Sequence, residues 1–427
     1  MKSAGALIPR PSSREACRHQ LLLREVGIKH ADAATKFAPM TSIQAKLHVK
    51  YFQKCLQCLP GPYSSLDTNR LTVAYFCTSA LDLLGALDAV EAAPIVEWIY
   101  AQQVVPPADG GAGLPAERRG GFRGGGYNGA PFAAGGAPSA HALDTAHIAM
   151  TYTALAVLTM LGDDLGRVRR AETLAFVRSL QGADGSFRAY AGGEADMRFV
   201  YCAAAICTLL GDGVSGGGGE WSGLDREAAT AYVLSAVSYD SGVGLGPGQE
   251  GHGGSVYTGI AALALLGTLD RLPTPRRLVD WCVARQVGGF QGRPNKDEDT
   301  CYSFWIGATL ALLGEAAAPE AAASAAAAAA AAPPPPRPPA LAAGAARLSD
   351  PAALAAFSLR CECAPYGGFA KCVGNHPDVL HSYFALCGLA IVGAPGLRPL
   401  DCRLGMTKRA AAAAGLRAAE PEAVECE

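Results

Sequence analysis

The chain has 427 residues, half of them apolar, which is enough for a large buried core, and length alone sets no domain count. Its 36 Lys and Arg nearly cancel its 38 Asp and Glu, so it lacks the global basic field of a nucleic-acid binder, and any partner must be recognised locally. No uninterrupted apolar run of about 18 residues occurs and no charged segment followed by an apolar one opens the chain, so a soluble, non-secreted protein without stable membrane insertion is predicted.

Residues 1–45 are fairly basic yet include Glu15, Glu25 and Asp32, and read as a flexible extension rather than a targeting segment. The folded domain is expected over 46–402. Cys55 and Cys58 form a C-x-x-C spacing inside an amphipathic helix with no second pair nearby, which reads as ordinary thiols. Most of the fourteen cysteines sit in apolar text such as Tyr201-Cys202-Ala203, where free cysteine acts as a small core hydrophobe. A reducing compartment, the cytoplasm, follows.

From about residue 146 a repeat emerges. Five apolar segments close on a glycine: AHIAMTYTALAVLTMLG at Gly162, ADMRFVYCAAAICTLLG at Gly211, HGGSVYTGIAALALLG at Gly267, EDTCYSFWIGATLALLG at Gly314 and HPDVLHSYFALCGLAIVG at Gly393. Four follow Gly-aromatic turns ending in Phe122, Phe187, Phe290 and Phe369, and the fifth follows Asp240-Ser241-Gly242-Val243-Gly244. More amphipathic helices lie between them, as in TPRRLVDWCVARQ from Thr274. One helix of each pair is apolar all round and the other on one face only, so an all-α fold is predicted: an α/α barrel with the apolar helices inside. Low-complexity insertions are expected at about 212–220 and 315–347, and a flexible tail over 403–427.

Counting back from the closing glycines, His147, His252 and Asp299 stand fifteen residues before theirs, Arg198 and Cys301 thirteen, and His381 twelve. Chemically capable side chains thus recur at one level, the N-terminal ends of the inner helices, where aligned dipoles favour anions and thiolates. Asp299, Cys301 and His381 offer a carboxylate, a thiolate and an imidazole, with Asp299 expected at an N-cap and Cys301 in the first turn, and three donors leave a fourth metal position open. By spacing alone, an Asp cap, a core cysteine and an unrelated histidine account for the same residues; the shared level favours the site. Arg293 and Lys296 in Gly292-Arg293-Pro294-Asn295-Lys296, with Tyr302, suggest a diphosphate cradle, to which Lys371 can add charge.

At DEDTCYSFWIGATLALLG and NHPDVLHSYFALCGLA the chain resembles the zinc-site segments of protein prenyltransferase beta subunits, and HGGSVYTGIAAL, GRPNK and DMRFVYCA are similar to that family's isoprenoid and diphosphate segments. The resemblance runs from about Leu47 to about Gly393. It implies one zinc ion held by Asp299, Cys301 and His381. It implies diphosphate and isoprenoid contacts from Arg198, Tyr201, His252, Gly253, Gly254, Arg293, Pro294, Asn295, Lys296, Tyr302, Ser303, Phe304 and Trp305. Thr72, Phe76, His147, Ala149, Phe199 and Leu380 would line the site of a CaaX peptide. The family acts as an obligate heterodimer with an alpha subunit that contributes a further lysine. Within it the chain looks most like the type I geranylgeranyl branch: Thr72 stands where farnesyl enzymes carry Trp, leaving room at the pocket end for one more isoprene unit. Lys371 stands where they carry a magnesium-binding Asp, so no Mg²⁺ requirement is implied. Thr258, where relatives usually have Cys, is a departure. A non-catalytic helical scaffold would not need cations, metal donors and aromatics at one barrel mouth, and a terpene cyclase would need a D-x-D-D motif, which is absent.

Overall fold

The computed structural model describes residues 43–59, 61–105, 114–126, 144–213, 221–314 and 349–415. Outer and inner helices alternate along the chain. In order they are α1 (Ala45–Gln57), α2 (Arg70–Leu83), α3 (Ala92–Tyr100), α4 (Ile148–Met160), α5 (Arg170–Ser179), α6 (Met197–Leu209), α7 (Arg226–Ser235), α8 (Gly253–Leu266), α9 (Pro275–Val283), α10 (residues 302–314), α11 (Pro351–Arg360) and α12 (Val379–Ile391). Burial separates the layers as the composition requires. Almost every residue of α4 is buried, whereas α9 buries only Leu278, Trp281 and Cys282.

The even-numbered helices form a closed ring. α12 packs on α2, α2 on α4, α4 on α6 and α6 on α8. Gly253 lets α8 approach α10, since a Cβ there would stand 2.9 Å from the Tyr302 ring, and Gly388 lets α12 approach α10, where a Cβ would meet Ser303 at 2.4 Å. Five connections from an outer to the next inner helix carry an antiparallel bridge: Gln103 with Phe122, Gln181 with Phe187, Val237 with Val243, Gln286 with Phe290 and Glu362 with Phe369. In each bridge the aromatic residue or valine is buried and anchors the connection in the core, so the N-terminal ends of these inner helices gather at one mouth. In the last connection β1 (Phe369–Ala370) pairs with β2 (Pro377–Asp378). No helix among the described residues is long and apolar enough to cross a membrane.

Two sequence expectations change. The repeat has a sixth copy, RLTVAYFCTSALDLLG, which closes at Gly85 with φ 70°, as Gly162, Gly211, Gly267 and Gly393 close with φ between 65° and 83°. It escaped the pattern because a 3₁₀ segment (Gly61–Asn69) precedes it and its N-cap Asn69 makes no side-chain cap. The expected flexible tail from 403 is instead folded as far as residue 415: β3 (Leu400–Asp401) pairs with β4 (Met406–Thr407), and α13 (Lys408–Ala413) follows.

The physical reason lies six residues before each closing glycine. The inner helices there carry Ser79, Ala156, Ala205, Ala261, Ala308 and Cys387, all small and fully buried. A ring of short side chains leaves the barrel axis unfilled, and Leu404, Met406, Ala410 and Ala411 are buried at that end. Asp82 ties this plug down through Arg398, Arg409 and Thr407. Of the expected insertion at 212–220, the Asp212 carboxylate accepts hydrogen bonds from the Ser222 and Gly223 N–H groups across its base. Residues 214–220, the insertion at 315–347, the extension up to residue 42 and the last residues from 416 lie outside the described residues.

Candidate metal centre and anion cradle

One position organises the mouth. Fifteen residues before their glycines, His147, Asp196, His252 and Asp378 are the N-caps of α4, α6, α8 and α12, and Asp299 caps the turn that leads into α10, each accepting a hydrogen bond from a backbone N–H two or three residues on. Capping therefore sets the orientation of five side chains that can also do chemistry. Asp196 and Asp378 belong to this set and were not singled out from the sequence, although the same count reaches them.

Asp299, Cys301 and His381 converge, with potential ligand atoms all within 4.8 Å of one another. Asp299 Oδ1 is 3.3 Å from His381 Nε2, and Asp299 Oδ2 is 3.7 Å from Lys371 Nζ. Asp378 binds His381 Nδ1 at 2.5 Å, which aims Nε2 at the cluster. The charges interlock. Burial opposes ionisation of Asp299, but hydrogen bonds from His381 and Cys301 outweigh it and lower its pKa. Burial likewise works against a charged His381, yet bonding to Asp299 and Asp378 raises it to about 9. Burial and the Asp299 charge push the Cys301 thiol well up, an effect that a cation at the cluster would reverse. A carboxylate, a thiol and a pre-aimed imidazole on two helices, with one coordination position left over, fit a metal ion.

Beside this cluster the Tyr302 hydroxyl meets His252 Nε2 at 2.9 Å. Burial, then the Arg293 charge, lowers the pKa of His252. Arg293 pairs with Glu250 at 2.6 Å, Asn295 adopts φ 62° at the turn, and Lys296 is exposed. Pro294 completes that turn. Gly292 is required there, since a Cβ would fall 2.1 Å from the Tyr302 ring. Across the mouth Arg198 is clamped by Asp196 and lies over the Phe199 ring at 5.0 Å, and Phe199 meets His147 edge-on at 6.1 Å.

Thirteen residues before the glycines stand Thr72, Ala149, Arg198, Gly254, Cys301 and Leu380, one from each inner helix. Thr72 is thus at the level of Cys301, and its hydroxyl donates to Met150 Sδ at 3.5 Å. One turn deeper come Tyr75, Tyr152, Tyr201, Tyr257, Phe304 and Tyr383, and next to them Phe76, Thr153, Cys202, Thr258, Trp305 and Phe384. The chamber inside the ring of helices is lopsided: Trp305 lies tilted against Phe384 with ring centroids 4.3 Å apart and Phe384 meets Phe76 edge-on at 5.5 Å, while α4, α6 and α8 carry Thr153, Cys202 and Thr258 at that level. Thr258 donates its hydroxyl to its own helix at Gly254 O, so the departure from Cys leaves no unsatisfied polar atom in the wall.

Two expected contacts do not face this chamber. Ser303 is fully buried beneath Gly388, with its hydroxyl 3.5 Å from that of Ser358, because it lies about 100° around α10 from Phe304. Gly253 serves helix approach to Tyr302. The remaining tyrosines and Phe384 were missed because they become a set only once the sixth helix is aligned.

The chain matches the family described as the prenyltransferase alpha-alpha toroid domain over residues 43–406. It is 36% identical over 401 residues to the geranylgeranyl transferase type-1 subunit beta of Arabidopsis thaliana, spanning 88% of this chain and 92% of that one. The corresponding subunit of Dictyostelium discoideum is 34% identical over 85% of this chain and 94% of that one. The solved structure of Candida albicans protein geranylgeranyltransferase-I complexed with GGPP shares the fold, with TM-score 0.69 and 22% identity over 88% of this chain and 99% of that one.

Proposed function

Since the chain belongs to the prenyltransferase alpha-alpha toroid family, we propose that it is the catalytic beta subunit of a protein geranylgeranyltransferase type I. It transfers a C20 isoprenoid from geranylgeranyl diphosphate to the cysteine of a C-terminal CaaX motif. The observation that carries this reading is the placement of the Asp299, Cys301 and His381 donors beside the His252–Tyr302–Arg293 cradle, above an aromatic-walled chamber.

Asp299, Cys301 and His381 would hold zinc, which when bound supplies a charge that keeps an acceptor thiol ionised. Asp378 keeps the proton on His381 Nδ1 and so leaves Nε2 as a ligand. His252 and Tyr302 donate hydrogen bonds to the diphosphate, and Arg293, Lys296 and Lys371 neutralise the charge that grows on its oxygens as the carbon–oxygen bond breaks and the carbon–sulfur bond forms. The cationic side chains suit a reaction without Mg²⁺. Phe304, Trp305 and Phe384 exclude water from the isoprenoid. His147, Ala149, Phe199 and Leu380 border the opening where the peptide would enter.

A partner subunit fits the exposed surface. The exposed large apolar side chains among the described residues, Tyr190, Tyr239, Leu245, Val287, Tyr366 and Val373, all lie on the connections around this mouth. An alpha subunit seated on that rim would cover them and complete the site. Cytoplasmic residence agrees with buried thiols such as Cys77, Cys282 and Cys387 that serve as core hydrophobes.

The test is reconstitution with a prenyltransferase alpha subunit, followed by zinc analysis and competition between C15 and C20 diphosphates on one Leu-ending CaaX peptide. About one zinc per heterodimer and preference for C20 are expected. Zinc without transfer of either chain would leave a scaffold, and preference for C15 would move the chain to the farnesyl branch.

A further inference from the structure

The buried phenols lie one turn below the metal cluster and, apart from Tyr201 as an expected isoprenoid contact, have been given no part in the chemistry above. They form a donor-consistent network. Tyr257 donates to Tyr201 at 3.4 Å, Tyr201 and Tyr152 meet at 3.0 Å, and Tyr152 donates to Leu404 O at 2.6 Å. Tyr75 donates to Gly405 O at 2.9 Å, and Tyr383 donates to the same carbonyl, which Ser79 also reaches at 3.3 Å. Each phenolic hydrogen is thereby used, and two carbonyls of one turn receive the ends of the network. An unpartnered carbonyl or phenol in so dry a place would be costly, so turn and ring hold each other.

The turn has no slack. Gly405 has φ 60°, and a Cβ on it would stand 2.8 Å from the Tyr75 hydroxyl and 3.1 Å from that of Tyr383. Leu404 is fully buried beneath the ring. Tyr75 and Tyr383 also pack on Phe76 and Phe384, at 5.8 and 4.8 Å, so a shift of these phenols moves the chamber wall as well. From the level of Cys301 to the tyrosines is about one helical turn, roughly 5 Å. The phenols therefore stand as a floor about one helical turn below the mouth.

We propose that the Leu404–Gly405 turn of the plug is a specificity-determining element: by anchoring the phenols it sets the height of the chamber floor and so the longest isoprenoid the protein accepts. The inference rests on the prenyl-transfer reading above. It assigns a role in substrate choice to residues that touch the isoprenoid only through the tyrosines they hold.

The experiment uses the reconstituted heterodimer with C15, C20 and C25 diphosphates, reading both kcat/KM with one peptide and the Kd of each diphosphate without peptide. The parent is expected to bind C20 at least about ten-fold better than C25. Gly405→Ala, which lifts the phenols, should lower the C20 to C15 ratio by about ten-fold in both readouts. Leu404→Ala, which opens space beneath the floor, should raise the C25 to C20 ratio by a similar factor, with zinc content unchanged. A parent that takes C25 as readily as C20, or folded variants that keep the parent's ratios, would overturn the inference. A parent that binds no isoprenoid diphosphate of any length would instead overturn the prenyl-transfer reading itself.

Discussion

Asp82 and Asp299 are buried carboxylates, one near the C-terminal end of inner helix α2 and the other capping the turn that leads into α10, and the difference between their neighbours separates the two ends of the barrel. Asp82 receives Arg398 Nη1 at 2.7 Å, Arg409 Nη2 at 2.9 Å and the Thr407 hydroxyl, all from the C-terminal plug. Its partners are permanent donors, so the site is complete within the chain. Asp299 shares its space with a thiol and an imidazole, groups that act as ligands only after losing a proton, and with Lys371 at 3.7 Å. A buried charge whose partners keep their protons is structural, whereas one whose partners can give theirs up and become ligands suits a cation.

The strongest way to break this contrast is Cys301→Ala or His381→Ala. Each should lose bound metal and lower turnover by about a hundred-fold or more, while the heterodimer still assembles and binds isoprenoid diphosphate. Metal analysis beside a single-turnover assay checks this, and full metal content at a normal rate in both variants would refute the site. Asp378→Asn refines the same end: it weakens the orientation of His381 while keeping a cap for α12, so metal affinity should fall by roughly ten- to a hundred-fold in a competition titration.

Asp82→Asn should have the opposite signature. It leaves two guanidinium groups about the plug, each with its side chain 42–44% exposed, so the stability loss is expected at roughly 1–3 kcal/mol rather than the larger cost of a fully buried pair. Denaturant unfolding would show the loss, and zinc content should stay at the parent's value. A variant that lost metal before stability would mean that the two ends are not separate.

The smallest effect is a pH dependence at the mouth. Burial depresses the pKa of His147 to about 4, below the ordinary value of 6.5, with Arg198 also opposing its charge and Glu194 favouring it. Between those values the unfolded chain binds the proton more readily than the folded one, so this contribution is intact above about pH 6.5 and is lost as pH falls toward 4. His147→Asn retains an N-cap acceptor without a titrating group. It should flatten part of the stability profile across that window, leaving the similar but separate contributions of buried His48 and of His252. An unchanged slope in unfolding measured from pH 7 to 4.5 would count against a neutral His147.

Much of the site was legible because its residues are placed by local rules. Caps recur fifteen residues before a closing glycine, so His252 and Asp299 could be located from spacing alone, and Asp196 and Asp378 were within reach of the same count. Ser303 shows where local reading stops. It stands beside Phe304 and Trp305 in sequence, and only the rotation of α10 sends its hydroxyl to Ser358 instead of the chamber. Resemblance carried Thr72 to the chamber, but its level in the ring, beside Cys301 rather than below it, needed the helix in place.

By itself the sequence determined the helix pairs, which helix of each pair is buried, and the level at which the reactive groups gather, because periodicity, capping and glycine termination act over one or two turns. Only the tertiary structure decided that the ring closes with α2, that Tyr75, Tyr152, Tyr201, Tyr257 and Tyr383 share one network, and that residues 400–413 fill the far end. Those outcomes depend on side chains hundreds of residues apart meeting around one axis. A row of small residues in each helix marks a hole there only when all six are brought together.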